Sequence, residues 1–184
     1  MNHPHFALFD TTIGRCALVW GGHGLLGLAL PEADDAATRR RIVQRLPMAR
    51  EAPPSASVQT LIARISGLLA GTRDDLADIT LDMAQVPAFR RRVYDMARSI
   101  PPGATLTYGE LAMRIGEPHA ARAVGQALGA NPFPIIVPCH RVLAAGGKSG
   151  GFSADGGVRT KLRLLQIEGA PLGGVPGLFD EPGS

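Results

Sequence analysis

The sequence predicts an α+β fold: a small N-terminal α/β domain over residues 1–85, built on a three-stranded antiparallel sheet with a helix, followed by a mainly helical domain with a helix-turn-helix over residues 86–170. Short apolar runs separated by glycine-containing turns fill the first thirty positions. Helical periodicity then takes over, and between residues 107 and 129 a helix, a tight glycine turn and a second helix follow one another.

Phe6 to Phe9, the turn Thr12-Ile13-Gly14 and Arg15 to Trp20 read as a hairpin, and Gly24 to Leu30 as a third strand. Residues 32–46 read as a charged helix. After Pro47, Pro53 and Pro54, an amphipathic helix is expected at about 57–70, with Val58, Leu61, Ile62, Ile65, Leu68 and Leu69 on one face and Gly71 ending it. Ile79, Leu81 and Met83 alternate as a short strand. Beyond Pro87, the residues Phe89, Val93, Met96, Ala97 and Ile100 mark a helical face that Pro101-Pro102-Gly103 stops. Thr107-Tyr108-Gly109-Glu110 has the form of a capping box and opens a short helix. Gly116-Glu117 turns the chain, Pro118 suits a first helical position, and a second helix is expected from His119 to Gly129. A last helix is expected from Val158 to Glu168, after a glycine-rich loop, and residues 171–184 read as a flexible tail.

Composition narrows the class. With 45% hydrophobic and 19% charged residues, the chain is that of a globular protein rather than a disordered one. The densest apolar run, Gly24 to Leu30, is too short to cross a bilayer, no export signal is read at the N-terminus, and a cytoplasmic protein is expected. Two cysteines, Cys16 and Cys139, cannot make a disulfide framework. Charge is unevenly placed: residues 1–85 carry eight Arg against nine acidic residues, net −1, whereas residues 86–184 carry nine Arg and two Lys against seven, net +4. An excess of that kind nominates a polyanionic partner for the second half, and equally fits a solvated basic surface.

Cys139 is the first candidate for chemistry. Pro134 and Pro138 stiffen the approach to it, and Ile135-Ile136-Val137 should be buried. A thiol attacks as thiolate and needs a base or a cation beside it. His140 and Arg141 follow at once, but neighbours on an extended strand face opposite ways, so His140 can serve Cys139 only if the chain turns there or a water bridges them. A buried, inert cysteine is the competing reading. The second clue is a helix almost without bulk, in which Ala120, Ala121, Ala123, Gly125, Ala127 and Gly129 surround one long cation, Arg122. Such a helix can approach a groove closely, or pack tightly in a core.

Thr107-Tyr108-Gly109-Glu110-Leu111-Ala112, Ala120-Ala121-Arg122-Ala123-Val124-Gly125, Asn131-Pro132 and Pro138-Cys139-His140-Arg141-Val142 together resemble the 6-O-alkylguanine-DNA alkyltransferases, also called methylated-DNA–protein-cysteine methyltransferases. Order and spacing match from about residue 86 to 170, and the first half matches in outline. The resemblance implies single-turnover DNA repair without a cofactor. An alkyl group passes irreversibly to Cys139 from the 6-oxygen of guanine, less readily from the 4-oxygen of thymine, after the base has left the stack. It implies a monomer acting on double-stranded DNA that contains alkylated guanine, with no membrane.

The same resemblance assigns roles. Cys139 is the acceptor, His140 its base through a water, Glu168 the orienting acid, and Asn131 the tie between the turn and the helix-turn-helix. Tyr108 donates to the ring nitrogen of the flipped guanine, and the Cys139 and Val142 carbonyls accept from its exocyclic amine. Arg122 fills the gap in the stack while Ala120, Ala121 and Gly125 let the helix into the minor groove, with Thr107 and Arg141 as further DNA contacts. The family's substrate loop commonly has one residue between its aromatic and its Gly-Gly pair. Here Gly151-Phe152-Ser153-Ala154-Asp155-Gly156-Gly157 is about two residues longer. Phe152 is then expected as a pocket wall, with Gly156 and Gly157 as the amides facing the guanine oxygen.

His3, His5, Cys16 and His23 fit no common zinc spacing, and no metal is expected. Arg39-Arg40-Arg41 and Arg90-Arg91-Arg92 read as solvated helix faces. Two further functions compete: a non-catalytic lesion sensor or helix-turn-helix DNA-binding protein, and a Cys-His thiol hydrolase.

Overall fold

The computed structural model describes residues 3–147 and 157–171. Strands β1 (His5–Thr11), β2 (Gly14–Gly21) and β3 (Gly24–Ala29) form the expected antiparallel meander, in register from His5 opposite Trp20 to Thr11 opposite Gly14. Gly14 lies at φ 121° in the hairpin turn, where a side chain would be strained.

The sheet has a fourth strand that the sequence does not announce. After helix α1 (Asp35–Arg45), the two residues Arg50–Glu51, strand β4, add to the open edge of β1 in parallel, giving the order β3-β2-β1-β4. Two exposed charged residues have no apolar alternation to read, so the expected three strands become four. The strand expected at Ile79–Met83 is corrected in the other direction. Only Leu81 bridges β3, through Leu25 N–H to the Thr80 carbonyl (3.0 Å) and Asp82 N–H to the Leu25 carbonyl (2.7 Å).

Helix α2 (Ala56–Leu69) starts on a Ser55 cap and packs Val58, Ile65, Leu68 and Leu69 against the sheet. Helix α3 (Ala88–Arg98) buries Val93, Tyr94 and Ala97. The two-residue strand β5 (Leu106–Thr107) leads into α4 (Tyr108–Arg114), opened by the expected capping box: Glu110 N–H donates to Thr107 Oγ1 (3.1 Å) and Thr107 N–H to the Glu110 carboxylate (2.7 Å). Helix α5 is Ala121–Gly129, so it begins later than Pro118 and His119 suggest, with Ala120 as its cap. Strand β6 (Val142–Leu143) pairs in parallel with β5, and α6 (Gly157–Ile167) closes the described chain. Of the tail expected at 171–184, the residues from 172 on lie outside the described residues.

One cluster of buried apolar side chains runs through both halves, from Phe9, Leu18 and Ile65 to Val93, Leu111, Ile136 and Cys139. Polar ties reinforce it. Tyr94 donates its hydroxyl to the Ala127 carbonyl (2.7 Å) near the end of α5, and Arg163 on α6 donates to the Thr12 carbonyl in the β1–β2 turn (2.6 Å). No helix among the described residues is long and apolar enough to cross a membrane.

Candidate active site around Cys139

Cys139 stands where two tight turns meet. Pro138, at φ −79° and ψ 67°, is the centre of an inverse γ-turn in which Cys139 N–H donates to the Val137 carbonyl (2.8 Å). A single 3-10 turn, Cys139–Arg141, follows, with Arg141 N–H donating to the Pro138 carbonyl (2.9 Å). The segment is therefore not an extended strand, and the alternation that would send His140 away from Cys139 does not apply. Upstream, Ile135 sits at φ 74°, where a β-branched residue is strained, at roughly 1–3 kcal/mol. The Asn131 side chain spans the loop, its amide donating to the Val137 carbonyl (2.9 Å) and its oxygen accepting from Phe133 N–H (2.8 Å).

Behind the cysteine lies a buried charge cluster. The Glu168 carboxylate accepts from His140 Nε2 (2.9 Å), and from Arg141 Nε (2.9 Å) and an Arg141 terminal nitrogen (2.7 Å). Arg141 also donates to the Ile100 carbonyl (2.6 Å). Burial pushes Glu168 up, but these bonds and charges outweigh it and hold the carboxyl at about 2. An ionised Glu168 requires His140 to carry its proton on Nε2. Burial pushes the imidazole down and keeps it neutral, so Nδ1 offers a lone pair that meets no partner among the described residues.

Arg141 corrects an expectation. It is 1% exposed and fully engaged with Glu168 and Ile100, so it is an internal strut and not a DNA contact. Lys161 is the residue that sequence reading missed. Fully buried on α6, its Nζ donates to the Val142 carbonyl (2.7 Å) and toward the Tyr108 hydroxyl (3.5 Å), and lies 5.7 Å from the centre of the Tyr108 ring. Desolvation pushes it down to about 8. The available signal was its place on the apolar face of α6, one turn before Leu164 and Leu165.

Burial raises the Cys139 thiol. The Asn131 amide, the Lys161 charge and the backbone amides of Cys139 and His140 pull the other way. The resting group is thus a protonated thiol with thiolate-stabilising groups in place around it. Cys16 lacks such surroundings. It is fully buried in β2 near Thr11 Oγ1 (3.8 Å), and burial carries it to about 11.

In front of Cys139 opens a cleft of about 850 Å³, bounded by Thr107, Tyr108, Gly125, Arg122 and Ala145. That is the size of a small-molecule pocket. Cys139 is 7% exposed and lines it. Arg122 is exposed at the first turn of α5, while Ala121 and Gly125 are half-buried on the same helix. A Cβ on Gly125 would stand 4.0 Å from the Tyr108 ring, in ordinary van der Waals contact with it, so α5 passes close to that ring. Val142 is buried and Gly157 opens α6. Phe152 and Gly156 lie outside the described residues. The described arrangement can activate a thiol, hold a planar polar ring and leave one cation free at the rim.

Residues 88–170 match the family model described as 6-O-methylguanine DNA methyltransferase, DNA binding domain. The chain is 36% identical over 157 residues to the methylated-DNA–protein-cysteine methyltransferase of Methanothermobacter thermautotrophicus, covering 85% of this chain and 81% of that protein. It is 35% identical over 164 residues to the enzyme of that name from Mycobacterium tuberculosis, covering 89% and 92%. Among solved structures, the Mycobacterium tuberculosis protein OGT in complex with DNA superposes with a TM-score of 0.72 at 35% identity, over 91% of this chain and 95% of that one.

Two outcomes follow from the charges. Glu168 is held at about 2 and would titrate near 4.5 when unfolded, so its contribution to stability is complete above about pH 4.5 and disappears as the pH falls toward 2. His140, held neutral by burial, already disfavours the folded state as the pH drops below 6.5, because only the unfolded chain takes up its proton readily. Urea midpoints should therefore fall from pH 6.5 downward, and Glu168→Gln should flatten the part of that fall below pH 4.5. Lys161→Met removes the cation beside the thiol, and should move the midpoint of the pH–rate profile of Cys139 alkylation up by about one pH unit while leaving the chain folded. An unmoved midpoint would show that the amine serves packing alone.

Proposed function

The chain belongs to the methylated-DNA–protein-cysteine methyltransferase family, and from that premise we propose the part each residue plays in a direct, irreversible DNA repair. The protein removes a methyl or other alkyl group from the 6-oxygen of guanine in duplex DNA, less readily from the 4-oxygen of thymine, and keeps it on Cys139. The observation that supports this best is a thiol on a tight turn, backed by a neutral histidine with an open lone pair and facing a cleft with room for a purine.

His140 takes the thiol proton through a water, oriented by Glu168. The thiolate attacks the alkyl carbon, the sulfur–carbon bond forms as the carbon–oxygen bond breaks, and the electron pair leaves with the guanine oxygen. Tyr108 donates a hydrogen bond to the ring nitrogen as that charge develops. The proton lost by the thiol ends on the guanine, so the base departs neutral. A thioether has no leaving group that these residues can expel. One molecule therefore repairs one lesion without a cofactor.

The target carbon is hidden in the duplex, so the base must be extruded. The slim face of α5, with Ala120, Ala121 and Gly125, enters the minor groove, whose degenerate pattern suits a scanner for damage in any sequence. Arg122 fills the stack, and the Thr107 hydroxyl at the cleft rim contacts backbone. The Cys139 and Val142 carbonyls accept from the exocyclic amine, with Phe152, Gly156 and Gly157 completing the pocket. Residues 1–85 and 86–170 act as two domains of a monomer. Two free cysteines suit the reducing cytoplasm.

Incubation with benzylated guanine, followed by intact mass measurement and peptide mapping, should show one added benzyl group per chain, on Cys139 and not Cys16. No mass gain would leave a non-catalytic DNA-binding protein, and many turnovers would favour a thiol hydrolase. Arg122→Ala should slow repair of duplex DNA by roughly tenfold or more while sparing reaction with the free base, because only the duplex requires extrusion. Equal losses on both substrates would remove Arg122 from that role.

A further inference from the structure

The N-terminal half carries none of the residues assigned above, yet its sheet touches the loop that presents the nucleophile. Leu28 on β3 donates its backbone N–H to the Pro132 carbonyl (3.0 Å). Beside it, Gly27 lets that carbonyl approach. A Cβ there would lie 3.2 Å from the Pro132 oxygen and 3.0 Å from an Arg45 terminal nitrogen, while Arg45 itself donates to the Leu26 carbonyl (3.1 Å). The residue before Pro132 is Asn131, whose amide holds the Val137 carbonyl (2.9 Å). Cys139 N–H donates to that same carbonyl (2.8 Å). A hydrogen-bonded path thus runs from the edge of β3 to the turn carrying the sulfur. Along it lies a cleft of about 280 Å³ lined by Leu28, Arg45, Asn131 and Cys139, and not by Tyr108.

We propose that the N-terminal domain is a positioning element for the nucleophile: the edge of β3, at Gly27 and Leu28, grips the Asn131–Pro132 turn and thereby sets the place of the Asn131 amide and of Cys139. The inference rests on Cys139 being the reactive group, as proposed above. The titratable and charged groups facing that sulfur are His140 on its own turn, Lys161 on α6, Tyr108 on α4 and Tyr94 on α3; on the β3 side, Arg41 and Arg45 of α1 line the same cleft as the sulfur. None of them sits on β3, so the grip acts by geometry. A side chain at Gly27 displaces the Pro132 carbonyl, carries Asn131 with it, and withdraws a donor that favours the thiolate.

The test is a mutant cycle on the full chain with Gly27→Ala, Gly27→Val, Asn131→Ala and the double variant Gly27→Val/Asn131→Ala. Two rates are followed, with peptide mapping to Cys139: alkylation by iodoacetamide against pH, and benzyl transfer from benzylated guanine. Melting curves establish that each variant is folded. Gly27→Val should raise the pH midpoint of iodoacetamide reaction by about half a pH unit and slow benzyl transfer roughly threefold to tenfold. Gly27→Ala, which asks the carbonyl to yield by only tenths of an ångström, should shift both in the same direction by less. In the Asn131→Ala background the valine should add nothing, since the path is already cut. An unmoved midpoint in both folded glycine variants overturns the proposal, as does full additivity with Asn131→Ala. A shifted iodoacetamide profile in a chain that never accepts benzyl supports the positioning role and defeats the alkyltransferase roles instead.

Discussion

Glu168 holds His140 and Arg141 with one carboxylate, all three side chains almost wholly removed from water. Burying such a group is expensive, and only close geometry recovers the loss. Deleting one partner of a buried pair commonly costs 3–5 kcal/mol because a naked charge is left behind. Here three short bonds reach the carboxylate and a further bond runs from Arg141 to Ile100. The cluster pins the residue after α6 to the turn that carries the sulfur and to the end of α3. It also decides the chemistry of His140, because an ionised acid on Nε2 leaves Nδ1 as a base. Fold and reactivity therefore depend on the same carboxylate.

The sulfur is kept in a condition that looks contrary to its use. Burial favours the protonated thiol, and strain at Ile135 is stored in the segment that delivers it. An exposed thiolate would react with any passing electrophile, and a protein that acts once cannot recover from a wasted encounter. Holding the proton while surrounding the sulfur with His140, Lys161 and Asn131 defers ionisation until a substrate can profit from it. Lys161 follows the same logic: held at about 8, its ammonium is still mostly charged at neutral pH but gives up its proton far more readily than an exposed lysine, and its bond to Val142 keeps it near Tyr108 rather than paired with an acid.

Local physics explains which parts were legible in the sequence. Strands β1 to β3 are short apolar runs set off by glycine-containing turns, and the Thr107–Glu110 box names its own helix start, so both could be read directly. Cys139 and His140, which the sequence itself singled out, and Glu168 and Asn131, which the family resemblance added, do come together in space. What failed were residues whose partners are distant in the chain. Arg141 is basic and close to the candidate site, which suggests DNA; its burial depends on Glu168, 27 positions away. Lys161 looks like an ordinary helix lysine until Tyr108 and Val142 are set beside it. The strand at Arg50–Glu51 exists only because β1 offers an open edge, and the apparent strand around Leu81 has too little edge to pair with.

The position of Cys139 between two clefts bears on why a catalytic helical half should carry an N-terminal sheet at all. The front cleft must be open and lined by small residues, since a base and a strand of DNA have to enter it. An opening that large removes packing from one side of the turn, and Ile135 already strains it. Rigidity has then to come from behind. The β3 edge supplies a main-chain donor, which is shorter and stiffer than any side chain. Gly27 allows it to come close, and the core continuous from Leu18 to Ile136 keeps the sheet from drifting. A helix-turn-helix alone could find DNA, but a sulfur that must meet an extruded carbon within a few tenths of an ångström needs a wall at its back.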